Sequence, residues 1–258
     1  MSTDGAPVLE VRRLSVRFGG FQALADLSWS VHEGEILGII GPNGAGKSTS
    51  FLAASNMVRH DGTLLLDGRD VTALPAQELA RRGLRRTFQQ NAFFGGMTVL
   101  ENMTGMLLET HGASLAASVF LPWMEHRRRR AAEALAAAHL ARFGVPAEMH
   151  ARLPAALPYG TQRMLSIALA CAPGARVVLL DEPAAGLGGP DMERLATLLA
   201  RLREQGLAVV LIEHHMDLVM ALADAIVVID QGRMLATGRP AAIQSDPRVL
   251  EAYLGRAA

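Results

Sequence analysis

Glu35-Ile36-Leu37-Gly38-Ile39-Ile40, running into Gly41-Pro42-Asn43-Gly44-Ala45-Gly46-Lys47-Ser48-Thr49, sets the class of the whole chain. The first six residues form a short apolar run with β-branched members, which reads as a buried strand. Residues 41–49 fit the phosphate-binding pattern G-x-x-x-x-G-K-[ST], and Ser48 to Met57 reads as a helix, so strand, glycine loop and helix follow in the order the pattern requires. Glycines let the backbone approach a phosphate and aim its N–H groups, and the helix start adds a favourable dipole. Lys47 is the sole lysine among 258 residues. A chain that otherwise uses arginine but keeps lysine here suggests a need for a compact charge rather than a planar fork. The alternative is that composition depleted lysine everywhere and one survived by chance. On the motif reading, Gly41, Pro42, Asn43, Gly44, Ala45, Gly46, Lys47, Ser48 and Thr49 bind a nucleotide. Lys47 then neutralises the β- and γ-phosphates, Ser48 offers its hydroxyl to Mg²⁺, and Thr49 bonds the next phosphate along.

Composition bounds the rest. The length suits one domain with subdomains, or two small domains. Half of the residues are hydrophobic and the formal net charge is zero, which argues against an obligate nucleic-acid binder. One cysteine, Cys171, rules out a disulfide within the chain and suits a reducing cytosol; in its apolar surroundings it reads as a buried structural thiol. The N-terminus carries Asp4 and no apolar core of a signal peptide, and no uncharged apolar run reaches the length of a membrane span. Work at a membrane would therefore go through a partner.

Val8 to Trp29 alternates irregularly around Gly19-Gly20 and reads as antiparallel strands; Thr63 to Leu66 before Asp67-Gly68 is another. Val99 to about Arg142 reads as mostly helical, punctuated by Pro122, with Gly144 and Pro146 beyond it. Val177–Leu180, Val209–Ile212 and Ile226–Ile229 are continuous apolar runs, as buried parallel strands are. The expected fold is α/β: a phosphate-loop core with a mainly parallel sheet, an N-terminal antiparallel β part and a helical insertion. The expected division is residues 1–88 and 166–238 for the core, 89–165 for the helical part and 239–258 for a tail. Arg127 to Arg130 is the one dense charge run, either a solvated helix face or a contact to lipid headgroups or a partner.

Val177–Leu180 delivers Asp181 at a strand end, where such sheets face their ligand. Asp181 would hold Mg²⁺ mainly through water, and Glu182 would polarise the attacking water as general base. An acidic pair capping the helix after Pro183 is the plainer reading. Gln89, after Arg86-Thr87-Phe88, could sense Mg²⁺ and orient water, or be an ordinary loop glutamine. His214 stands at another strand end and could donate to the γ-phosphate, or be a polar residue without a role; its neighbour His215 reads as surface.

The order Gly41–Thr49, Gln89, Leu157-Pro158-Tyr159-Gly160-Thr161-Gln162, Leu180-Asp181-Glu182-Pro183, His214 resembles an ABC-type ATPase over essentially the whole chain. The resemblance implies ATP and Mg²⁺, with Phe18 stacking on adenine. It implies that Leu157, Pro158, Tyr159, Gly160, Thr161 and Gln162 form the signature that completes the opposite subunit's ATP site, and that Ala185-Gly186-Leu187-Gly188 is the D-loop. Two subunits would close head to tail over two ATP molecules and open on hydrolysis. Gln89 would couple the site to the helical part, and Asn91 to Met97 would meet a membrane partner. Two departures stand out: Pro158 where the family usually has serine, with Tyr159 for the first signature glycine, and Gly188 where it usually has aspartate. They suggest pairing with a sister ATPase rather than with a second copy. The finer resemblance is to ATPases of branched-chain (hydrophobic) amino-acid import. It rests on the altered signature, Asp181–Leu187, Arg17-Phe18-Gly19-Gly20, Ile212-Glu213-His214 and the tail Asp246-Pro247 through Ala252-Tyr253-Leu254-Gly255. It implies two permease subunits, a sister ATPase or self, a periplasmic solute-binding protein, and a place on the cytoplasmic face of the inner membrane, held there by the permeases. Alternatives are the ATPase of a lipopolysaccharide-type export system, a soluble ABC ATPase of DNA repair or translation, and a non-hydrolysing regulator.

Overall fold

The computed structural model describes residues 5–87, 93–110 and 122–254. In chain order, β1 (Leu9–Phe18), β2 (Phe21–Val31) and β3 (Ile36–Ile40) lead into α1 (Lys47–Ala54), followed by β4 (Asp61–Leu66), β5 (Arg69–Asp70), α2 (Ala76–Arg81) and β6 (Leu84–Arg86). Then come α3 (Val99–Thr110), α4 (Pro122–Arg142) and α5 (Tyr159–Ala170). The chain closes with β7 (Val177–Asp181), α6 (Gly189–Glu204), β8 (Ala208–Ile212), α7 (Met216–Leu222), β9 (Ala225–Asp230), β10 (Arg233–Gly238), α8 (Pro240–Gln244) and α9 (Pro247–Leu254). Two compact units result, Met1–Arg86 with Arg176–Ala258, and Thr87–Ala175.

The first unit holds two sheets. One has the order β10-β9-β3-β8-β7-β6 and is parallel apart from the β9–β10 edge pair. Its β3, β7 and β8 are buried at every residue, as continuous apolar runs covered on both faces must be. Register places Ile39 beside Ile212 and Ile212 beside Asp181. The residues that follow β3 and β8, and the last residue of β7, therefore arrive at the same carboxyl edge.

The other sheet is antiparallel, in the order β2-β1-β4-β5. In β1, Leu9, Val11, Leu14 and Val16 are buried, so the two-residue alternation slips by one between Val11 and Leu14. The slip is a bulge: the β1–β2 register shifts there, and Arg13 and Asp26 take φ of +52° and +58°. Arg13 Nε donates to Asp26 Oδ1 at 3.1 Å across the bulge. A single apolar core joins Leu9, Leu14 and Leu27 to Ile39, Leu179 and Val210, with Phe51 of α1 fully buried within it.

In the second unit α3 packs against α4 and α5, with Met103, Leu107, Ala136, Leu140, Leu165 and Ile167 buried. Helix α4 is described from Pro122 to Arg142. Cys171 is buried just beyond α5. Among the described residues no helix is long and apolar enough to cross a membrane.

Candidate active site

The loop after β3 is shaped by two glycines. Gly41 has φ +151°, and a Cβ there would overlap the Ile229 carbonyl oxygen. Gly46 has φ +104° at the start of α1, where a Cβ would come within 2.7 Å of Leu24 Cδ2 and 2.9 Å of the Ala23 carbonyl. The chain can pass here only without side chains, so the loop lies close against the Ile229 and Ala23 carbonyls and the Leu24 side chain. Gly232 N–H donates to the Ala45 carbonyl at 2.9 Å and so ties the loop to the β9–β10 turn.

Lys47, 6 % exposed, lies back over the loop and donates from Nζ to the carbonyls of Gly41 at 2.7 Å and Pro42 at 3.0 Å. Burial holds its ammonium below the ordinary lysine value, opposed by the carboxylates of Glu182 and Asp181. Ser48 is exposed and Thr49 half-buried at the first turn of α1.

At the end of β7, Asp181 is 2 % exposed. Burial raises its carboxyl pKa, while the hydrogen bond and charge of Arg86 pull it down; Arg86 Nη2 donates to Oδ2 at 2.8 Å. Glu182 follows with φ +48°, a left-handed conformation that costs a non-glycine residue on the order of 1–3 kcal/mol and gathers at functional sites. Its N–H donates to the Ile212 carbonyl at 2.9 Å, and its Oε1 meets His214 Nε2 at 2.8 Å. The lysine, both carboxylates and the histidine thus share one edge of one sheet. A buried cation, a carboxylate beside a histidine and a glycine loop can bind a phosphate chain and activate water against it.

Glu213 escapes a reading of the sequence. It is 1 % exposed; Oε1 accepts the Ala184 N–H at 2.6 Å, and Oε2 accepts those of His214 at 3.1 Å and His215 at 3.4 Å. The strand-end argument that singles out Asp181 applies equally one residue past Ile212. Arg86 escapes it too, because its strand is three residues long and shows no period. Phe18, half-exposed, sits opposite exposed Phe21 at the turn of the β1–β2 hairpin. Gln89 lies outside the described residues.

In the second unit the start of α5 is closed by Gln162, whose Nε2 donates to the Leu157 carbonyl at 2.9 Å and whose N–H donates to that of Pro158 at 3.0 Å. Gly160 and Leu157 are buried, Thr161 is half-buried, and Pro158 and Tyr159 face solvent. The Arg163 guanidinium lies 5.9 Å from the Tyr159 ring centroid. Gly188, back in the first unit, is the residue at the start of α6, with open space where a Cβ would be.

Residues 24–185 match the model of the family described as ABC transporter, and residues 233–258 match that of the branched-chain amino acid ATP-binding cassette transporter. The chain is 40 % identical over 253 residues to the high-affinity branched-chain amino acid transport ATP-binding protein BraF of Pseudomonas aeruginosa, covering 97 % of this chain and 99 % of that one. It is 40 % identical over 257 residues to LivG of Escherichia coli K12, likewise a high-affinity branched-chain amino acid transport ATP-binding protein, with the same coverage. The lipopolysaccharide export system ATP-binding protein LptB of that organism is 30 % identical over 248 residues, covering 96 % and 97 %. Among solved structures, the ADP conformation of MJ1267, an ATP-binding cassette of an ABC transporter, superposes with a TM-score of 0.81 at 27 % identity, covering 97 % of this chain and all of that one.

Proposed function

The chain belongs to the ABC transporter family of ATP-binding proteins, and from that premise we propose that it hydrolyses ATP to drive import of branched-chain or other hydrophobic amino acids. The observation that carries the substrate class is the match of residues 233–258, beyond the nucleotide core, to the branched-chain cassette model.

In this reading, loop N–H groups and Lys47 hold the phosphates, and Phe18 stacks on the base. Glu182 takes the proton of a water as its oxygen attacks the γ-phosphorus in line and ADP leaves. His214, now on Glu182, turns its Nε2 proton toward the γ-phosphate. The donors for Mg²⁺ would be the Ser48 hydroxyl, Asp181 and Gln89; hydroxyl, carboxylate and amide oxygens are the hard set this ion takes, with phosphate and water completing it. When bound, Mg²⁺ neutralises phosphate charge. Segment Leu157–Gln162 would complete the site of a second ATPase subunit. Two permease subunits, fed by a periplasmic solute-binding protein, would hold the chain at the cytoplasmic face of the inner membrane.

The test is capture of tagged Glu182→Gln protein from gently solubilised membranes with ATP. The variant is expected to keep ATP binding, lose turnover, and bring down two polytopic permeases with a second ATPase. Recovery only with ribosomal or DNA-repair proteins would overturn the transporter reading, and lipopolysaccharide export partners would overturn the amino-acid one. Unchanged hydrolysis would remove Glu182 as the base.

A further inference from the structure

Arg86 has no part in the chemistry described above. It ends β6, and its register partner on β7 is Leu179, so Asp181 lies two residues further along the neighbouring strand and the arginine reaches forward to it. The Nη2–Oδ2 contact is 2.8 Å, between side chains only 9 % and 3 % exposed. The guanidinium carbon also lies 5.7 Å from the ring centroid of Phe51, which is fully buried. The cation is thus packed against an aromatic face on α1 and bonded to a carboxylate on β7, both inside the first unit.

We propose that Arg86 is the resident counter-cation of Asp181. As a positioning residue, it holds and aims that carboxylate, and it stops Asp181 from recruiting a divalent cation until a nucleotide arrives. A buried carboxylate without a cation carries a desolvation penalty, and a metal ion entering such a site would recover much of it. With Arg86 in place that gain is already taken. A second cation arriving at Asp181 also meets the positive charges of Arg86 and Lys47, which offset the attraction of the neighbouring Glu182 carboxylate. The phosphates of a nucleotide engage Lys47 and add net negative charge beside Asp181, so metal enters with them. Arginine suits this role because it stays charged when buried and its planar fork fixes the carboxylate's orientation. The inference rests on the reading of Asp181 as a magnesium residue.

The experiment is Mn²⁺ titration of nucleotide-free protein, with the free-ion signal followed by electron paramagnetic resonance. The Arg86→Gln variant keeps an N–H donor and loses the charge, so it should bind Mn²⁺ about tenfold or more tighter than the parent. Arg86→Lys should return binding to the parent's weak level. Adding Asp181→Asn to Arg86→Gln should abolish the gain, which locates the ion. Equal affinity in the parent and Arg86→Gln, or a gain that survives Asp181→Asn, overturns the proposal. If Arg86→Gln does not fold, the parent decides: it must bind Mn²⁺ no tighter without nucleotide than its Asp181→Asn variant does, and Asp181-dependent binding in the free parent overturns the proposal. Failure of the underlying site reading shows differently, as no Mn²⁺ uptake by the parent even with a non-hydrolysable ATP analogue present.

Discussion

Glu213 commits both carboxylate oxygens to backbone: Ala184 on one, His214 and His215 on the other. It therefore holds the segment after Glu182 and the segment carrying His214 in one frame. In Glu213→Gln one oxygen becomes an NH₂ facing N–H donors, and an unsatisfied buried donor costs about 1–3 kcal/mol. The variant should lose that much stability in urea denaturation. Its kcat should fall while KM for ATP holds, because the phosphate loop hangs from other strands; a fall confined to KM would place Glu213 outside the catalytic frame. Lys47 gives a second test at this level. Its ammonium is buried and fixed on two carbonyls at 2.7 and 3.0 Å, a geometry for a compact charge. Lys47→Arg keeps the charge and adds a planar group with no room, so binding of a fluorescent ATP analogue should weaken by roughly a hundredfold. Unaltered binding would return the solitary lysine to an accident of composition.

Among the elements, β3, β7, β8 and β9 are legible in the sequence because apolar runs that are buried on both faces need no alternation to be seen. With them come Lys47, Asp181, Glu182 and His214, each at or just after a strand end. The irregular pattern of Val8 to Trp29 is visible, but its cause, a bulge with two positive-φ residues, is a property of the pairing and not of either strand alone. The sequence pattern carries helix α1 on to Met57, whereas the helix ends at Ala54. Asn56 beyond it has φ +53° and donates its amide to the carbonyls of Val71 and Leu74, distant contacts that no local period encodes. Strands β5 and β6 are too short to carry a period, which is why Arg86 is invisible without the fold. The tail helix α9 offers a pH prediction. Asp246 Oδ1 accepts from Arg248 N–H at 2.9 Å, and Oδ2 accepts from Arg248 Nη2 at 2.7 Å; the guanidinium holds the carboxyl below its usual value. A depressed carboxylate stabilises fully above its unfolded pKa and loses that contribution as pH falls through the lowered folded one. The pair is exposed, so the effect is local and screened. Helical chemical shifts of residues 247–254 should therefore decline below about pH 4. Asp246→Asn, which retains an acceptor without the charge, should erase that acid transition; a transition unchanged in the variant would assign it elsewhere.

At the scale of the whole molecule, Pro158 and Gly188 matter because the local fold does not demand either. Pro158 precedes α5 with φ −55° and ψ 147°, a backbone that serine adopts, at a position where a serine side chain would cap the helix. Gly188 precedes α6 with φ −85° and ψ 173°, and space is open where its Cβ would stand; aspartate there is a favoured cap. Stability alone would thus favour the serine and aspartate usual in the ABC family, and on the proposed pairing their replacement would weaken what this chain offers to an opposite subunit. The Pro158→Ser/Gly188→Asp double variant should melt at or above the parent's temperature, because the serine adds a helix cap worth up to about 1 kcal/mol and the aspartate, replacing a glycine, a few tenths of that. If pairing with a non-identical ATPase compensates for the altered segments, the purified parent should turn over ATP slowly and be accelerated by its sister subunit. The double variant alone should then hydrolyse several-fold faster than the parent alone and gain less from the sister. A double variant that is stable, binds ATP and turns over no faster than the parent would show that these two positions do not limit self-pairing. The heterodimer reading would then lose its physical ground, and the altered signature would have to be explained by Tyr159 or by the permease contacts.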